Sequence, residues 1–284
     1  MYKVAILGCE NSHANGFLDV IRDKKLDVEV MGVYSPYEGA AEALRDEYGV
    51  PVMESYDALV GQLDGVIINA RHGADHYKFA KPYLDDKIPI YIDKPITVSE
   101  EDARNFYQDI VTRNIPVCGG STLKHADVVK EMKALVQSGE KGAPLGGYCR
   151  APINLENIYG DFYFYSQHLV QMICEIFGYY PKAVRACQNG TQITITVRYE
   201  DFDVTGLYSN ISGVYYSTVS FKESVEGGTI IEYGEAANEF NEYYALLKGE
   251  PQRQSTEDLF APVFILNAID RALQSGQEEP VARM

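Results

Sequence analysis

The sequence predicts an α/β protein in two parts: an N-terminal Rossmann-type doubly wound parallel sheet, then an α/β domain built on a large, mostly antiparallel open sheet. Two observations carry this. Strand and helix patterns alternate six times before Gly120, and the strands there are continuous apolar runs, as in a sheet covered on both faces. Past Gly120 the pattern changes to short strands interrupted by a few helices, with Asn189-Gly190 as a two-residue hairpin signal.

Taken in order, Tyr2 to Gly8 is a buried-type strand, followed by a helix with Phe17, Val20 and Ile21 on one face. Val28–Ser35 is the second strand, and Glu38–Tyr48 the second helix, closed by Gly49. Residues 51–53 read as a short strand and residues 57–63 as a short helix. Gly65–Ala70 is a wholly apolar fourth strand, and residues 76–86 a helix that Pro82 must kink or shorten. Pro89 to Asp93 is the fifth strand, stopped by Lys94-Pro95; Ser99 then caps a helix to Asn114, with Asp102 completing a capping box. Residues 115–120 form the sixth. In the second part, helices are expected at about 126–138, 166–177 and 258–275. Strands are expected at 147–154, 183–187, 192–199, 203–209, 214–221 and 229–233. The boundary falls near Gly119-Gly120, giving domains 1–120 and 121–284.

Composition narrows the function. Lys plus Arg number 25 and Asp plus Glu 41, a formal net charge of −16, which argues against nucleic acid and anionic membranes as partners. An anionic cofactor stays open, because a helix N-terminus is a local positive site. Five scattered cysteines suggest neither a disulfide framework nor a zinc knuckle, and no apolar run reaches a membrane span. A cytoplasmic location is expected. The tyrosine-rich second sheet, with Tyr208, Tyr215 and Tyr216, suggests a homodimer or homotetramer formed through that sheet, or tyrosines that lie along the surface.

Four stretches bear chemistry. Lys94 ends a strand where open α/β sheets bind ligands, with Asp93 beside it, so it can donate a proton or grip an oxygen. After the first strand, a dinucleotide fold wants G-x-G-x-x-G; here Gly8 is present, but Glu10 and His13 hold the other two places. Ser35 stands where an acid would hold ribose hydroxyls. Asn69-Ala70-Arg71-His72 through His76 ends the fourth strand; His72 and His76 are four apart, Arg71 suits a phosphate or carboxylate, and no metal site is assigned. In the second part, His168 is expected in the first turn of its helix, sharing a face with Gln171 and Glu175 opposite a buried Leu169, Ile173, Ile176 stripe.

Over nearly its whole length the chain resembles the Gfo/Idh/MocA family of NAD(P)-dependent oxidoreductases. Asp93-Lys94-Pro95 meets that family's E-K-P motif, Ala70 to His76 its threonine-proline segment ending in histidine, and Phe164 to His168 its D-x-G-x-H motif, with Phe164 and Ser166 replacing the aspartate and glycine. The resemblance implies NAD or NADP as cofactor and a sugar, polyol or related small hydroxy compound as substrate. Lys94 and His168 would be the catalytic pair. Cofactor contacts would fall on Gly8, Glu10, Asn11, Ser12, His13, Ser35, Asn69, Ala70, Arg71, His76, Asp93 and Lys94. Substrate contacts would fall on Tyr163, Tyr165, Gln171 and His125. Two alternatives keep the fold: tightly held NAD serving lyase or glycoside-type chemistry, and a redox-inactive ligand-binding protein with a degenerate cofactor site.

Overall fold

The computed structural model describes all 284 residues, which divide into two compact units. The first comprises Met1–Gly120 and Glu235–Leu259; the second, Ser121–Gly234 and Phe260–Met284.

The first unit starts β1 (Tyr2–Leu7), α1 (Ser12–Asp23), β2 (Val28–Tyr34), α2 (Ala40–Tyr48), β3 (Gly65–Ile68) and α3 (Ala74–Ala80). It continues with β4 (Ile90–Asp93), α4 (Glu100–Arg113) and β5 (Val117–Gly120). The five strands are parallel, in the order β2-β1-β3-β4-β5. The apolar runs explain this: every residue of β3, β4 and β5 is buried. Ser99 caps α4 by accepting the Asp102 N–H at 3.1 Å.

Three expectations are corrected here. Residues 51–53 form an isolated bridge, Val33 to Val52, rather than a strand. Residues 57–63 are turns, with Gly61 in the left-handed region at φ 74°, which interrupts a helix. The helix expected over 76–86 is shorter, because Pro82 has no N–H to donate: α3 ends at Ala80 and a 3₁₀ turn covers Lys81–Asp86.

The second unit contains α5 (Asp127–Ser138), β6 (Gly146–Pro152), α6 (Phe162–Phe177), β7 (Ala183–Asn189), β8 (Gln192–Arg198), β9 (Asp203–Ser209), β10 (Tyr215–Ser220) and β11 (Val225–Ile230). Its seven-stranded sheet runs β11-β10-β6-β9-β8-β7-β12, where β12 is Glu279–Pro280. All neighbours are antiparallel except β6 and β9. In the β7–β8 hairpin Asn189 pairs with Gln192, so the two loop residues are Gly190 and Thr191, one position later than the Asn-Gly reading. The helix α6 begins one turn earlier than expected and takes in the aromatic run. All its residues from Ser166 to Phe177 are buried, so it has no solvated polar face.

Between the units' strands and the final helix α8 (Thr256–Ser275), the chain forms α7 (Ala236–Leu247), which sequence periodicity did not reveal. This helix returns to the first unit. A Cβ on Gly16 would lie 2.8 Å from the Ala236 Cβ, and one on Gly65 would lie 2.3 Å from the Tyr243 hydroxyl, so two small residues let α7 sit tightly. Phe240 and Tyr243 then join Phe17 and Tyr91 in the first core. No helix is long and apolar enough to cross a membrane.

Candidate functional site

The first unit concentrates its polar groups at the carboxyl ends of β1, β3 and β4. Gly8 makes the turn after β1 at φ 82°, and an added Cβ would stand 2.2 Å from the Ala70 Cα, so only glycine fits. The Glu10 side chain then reaches two other loops. One carboxylate oxygen accepts the Ser35 hydroxyl at 2.8 Å, and the other accepts the Arg71 backbone N–H at 3.0 Å. Glu10 thus ties the turn after β1 to the ends of β2 and β3.

Asn11 caps α1, its Oδ1 accepting the His13 N–H at 3.1 Å, while its Nδ2 donates to Asp93 Oδ2 at 2.6 Å. His13, in the first turn of α1, places Nδ1 3.4 Å from Asp93 Oδ1 and 3.6 Å from Glu239 Oε2, a carboxylate supplied by α7. Burial alone would depress the His13 pKa, but the negative charges of Asp93 and Glu239 raise it to about 9. Burial likewise opposes Asp93's charge, yet His13 and Lys94 outweigh it and hold the carboxyl below its ordinary range. Lys94 is 6% exposed; burial pulls its pKa down against the upward pull of Asp93 and Glu239. Ser12 is exposed at the start of α1. Asn69, fully buried just past β3, makes no hydrogen bond through its amide group.

His76 is fully buried, with Nε2 2.7 Å from the Ala70 carbonyl, so it braces the loop from within. His72 accepts the Ala74 N–H through Nδ1.

The second unit carries a separate network along α6. His168 Nδ1 shares a 2.7 Å hydrogen bond with the fully buried Ser121 hydroxyl, which also accepts the Leu123 N–H. The His168 ring meets Tyr165 and Tyr215 edge-on, at 5.2 and 6.0 Å. Gln167 and Gln171 are linked at 3.3 Å, Gln171 donates to Glu175 at 3.1 Å, and Lys133 closes the row on Glu175 at 2.7 Å. Because α6 starts at Phe162, His168 lies in its second turn, not its first. Phe164, at the place of the motif aspartate, packs its ring on Tyr159 and Tyr165. The Tyr163 hydroxyl donates to Asp270 at 3.3 Å, which directs it to α8. His125 ends a 3₁₀ turn, Thr122–His125, against which Gly234 packs. Sequence reading missed Ser121 and Glu239; Ser121 is foreshadowed only by the Gly119-Gly120 break before it, and Glu239 by nothing local.

Residues 2–118 match the family model GFO_IDH_MocA, described as an oxidoreductase family with an NAD-binding Rossmann fold. The match covers the first-unit strands β1 to β4 and the first half of β5. Beyond it, the whole chain shares its fold with solved structures of low identity. Scyllo-inositol dehydrogenase from Lactobacillus casei, with bound NAD(H) and scyllo-inositol, superposes with a TM-score of 0.82 at 15% identity, covering 99% of each chain. GenD2 from gentamicin A biosynthesis, in complex with NAD, gives 0.86 at 15% identity, covering 99% of this chain and 96% of that one. No curated protein matches the sequence.

A match to an NAD-binding Rossmann family implies a nicotinamide dinucleotide, whose pyrophosphate needs free N–H donors and close backbone approach at the start of α1. Two of the residues present, Glu10 and Asn11, crowd that group in its usual seat. Asn11 takes the His13 N–H, and a carboxylate stands where the second glycine should be, holding the Ser35 hydroxyl and Arg71 N–H. A diphosphate approaching there meets a like charge and donors already engaged.

Proposed function

We propose that the protein is an oxidoreductase-type enzyme acting at a CH–OH carbon of a small polyhydroxylated compound, a sugar or cyclitol. Buried Lys94, at the end of β4 beside Asp93, is the observation that carries this reading. The match of residues 2–118 to an oxidoreductase family and the inositol dehydrogenase among the similar folds support the substrate class. A lysine whose burial lowers its pKa gives up its proton more readily than an exposed one, and its ammonium form stabilises negative charge on a bound oxygen. His168 is the second proton-handling group: Ser121 anchors Nδ1, which fixes the ring's orientation and leaves proton exchange to Nε2. Lys94 and His168 handle only the proton; oxidation of a CH–OH carbon also needs a hydride acceptor, which NAD⁺ or NADP⁺ would supply if bound. Asp93 keeps a negative charge next to Lys94, and Tyr165 packs against the His168 ring.

Glu10 favours a second reading, in which the chain binds such a compound without net redox. One experiment separates them. The purified protein is incubated with a panel of sugars and cyclitols plus NAD⁺ or NADP⁺, following reduced cofactor by absorbance and compound binding by calorimetry. Turnover lost by about 100-fold or more in Lys94→Ala, with compound binding retained, supports the enzyme. Binding without turnover supports the second reading, and absence of both at millimolar concentration ends the first.

A further inference from the structure

We propose that His13, Asp93 and Glu239 form a binding site for one first-row divalent cation, of the kind of Zn²⁺ or Mn²⁺. The three residues come from separate parts of the first unit: the first turn of α1, the end of β4 and the first turn of α7. Their ligand atoms all lie within 4.8 Å of one another.

The individual distances are long for direct hydrogen bonds and leave room for a cation between the groups. His13 Nδ1 is 3.4 Å from Asp93 Oδ1 and 3.6 Å from Glu239 Oε2. A charge-assisted hydrogen bond would close to about 2.7–2.9 Å on one partner. The ring nitrogen instead stands off from both carboxylates. Separations near 3.4 Å are the edges of a coordination tetrahedron whose bonds are about 2.1 Å, the usual length for zinc with nitrogen and oxygen ligands.

A second observation points inward. Asp93 is fully buried, and its Oδ1, which faces His13, makes no hydrogen bond; His13 Nδ1 makes none either. An unsatisfied buried carboxylate oxygen is costly, and a cation held between these atoms removes the cost. Asn11 fixes the other oxygen of Asp93 and also receives the His13 backbone N–H, so one residue orients two of the three ligands. Partners of that kind are the usual support of a metal centre.

Charge and ligand type narrow the ion. Two carboxylates and a neutral imidazole balance a divalent cation, and an N,O,O set suits zinc or manganese over the thiophilic cuprous ion. Three protein ligands leave at least one coordination position for water or a ligand oxygen. The His13 side chain is 22% exposed, which gives the centre its contact with solvent. Lys94 lies in the field of both carboxylates and competes with the ion for their charge. The site requires nothing of the roles proposed for Lys94 and His168.

The test uses the full chain, stripped with a chelator and titrated calorimetrically with ZnCl₂ and with MnCl₂ alone. The expected result is one equivalent per chain, weakened by about 10-fold or more in His13→Gln and in Glu239→Gln and unchanged in His72→Gln. Circular dichroism checks that each variant is folded. Cobalt(II) added to the unsubstituted protein gives a second readout, because tetrahedral coordination produces strong visible absorption that binding elsewhere in hydrated form does not. No binding of either metal at millimolar concentration, or binding equally strong in both ligand variants, overturns the site.

Discussion

The carboxyl edge of the first sheet and the buried face of α6 depart from the family motifs in opposite ways. At the sheet edge, two glycine places hold charged or titratable side chains, Glu10 and His13, and each has recruited partners from distant loops. Along α6, the motif aspartate has become Phe164 and the remaining polar groups are mostly neutral amides in a row, Gln167 to Gln171, ending at Glu175. The first unit has gained charge where a diphosphate would lie; the second has lost charge where a substrate contact would lie. Fold alone therefore does not carry chemistry over. The added groups at the edge hold polar partners, whereas the replacement on α6 is packed against aromatic rings.

That difference predicts unequal costs for restoring the family residues. Phe164→Asp should destabilise the second unit by about 2–4 kcal/mol, since a carboxylate would replace an aromatic ring buried against Tyr159 and Tyr165. Chemical denaturation would measure it, and a change under about 0.5 kcal/mol would show that the position is no more than surface. Glu10→Gly should be better tolerated, and its effect should appear in binding. Freed of the carboxylate, the Ser35 hydroxyl and Arg71 N–H become available to a phosphate or ribose, so NADH affinity should rise about 10-fold or more, read by calorimetry. An unchanged affinity would mean that Glu10 does not govern the seat and that the contrast between the two regions is of another origin.

The same contrast shows what a sequence reveals. The parallel sheet was legible because its strands are unbroken apolar runs, and Lys94 because a strand ending in Asp-Lys-Pro has few readings. The helix α7 was not: it has no side-chain cap, and its buried residues bunch at its end, Ala245 to Leu247, with Phe240 and Tyr243 before them and a glutamate, Glu239, among them. Its packing instead depends on Gly16 and Gly65, which lie far away in the chain. Glu239 was hidden for the same reason, since only the return of that helix brings its carboxylate to His13. His13 itself was read as a missing glycine, because a fingerprint reports what a position lacks and not which side chains meet there. On α6, the burial of both faces erased the periodicity that would have fixed its start.

The smallest effect expected concerns the thiols, and it tests whether the first turn is closed. Cys9 lies in that turn next to Glu10, and burial, reinforced by the Glu10 charge, raises its pKa to about 12. Cys149, deep in β6, is also raised to about 12, by burial. A raised thiol pKa keeps the group protonated as pH increases, so at about pH 8 neither offers an appreciable thiolate. Of the five cysteines only Cys187 is exposed. Iodoacetamide on the native chain should therefore add a single mass increment at Cys187, leaving activity and fold unaltered. Cys149 serves as the internal reference for a position that opens only on unfolding. Labelling of Cys9 ahead of Cys149 would show that the turn opens while the core stays shut, releasing the Glu10 carboxylate from its two donors. Equal protection of the two would show that the turn is as closed as the strand, and that Glu10 is a fixed part of the edge.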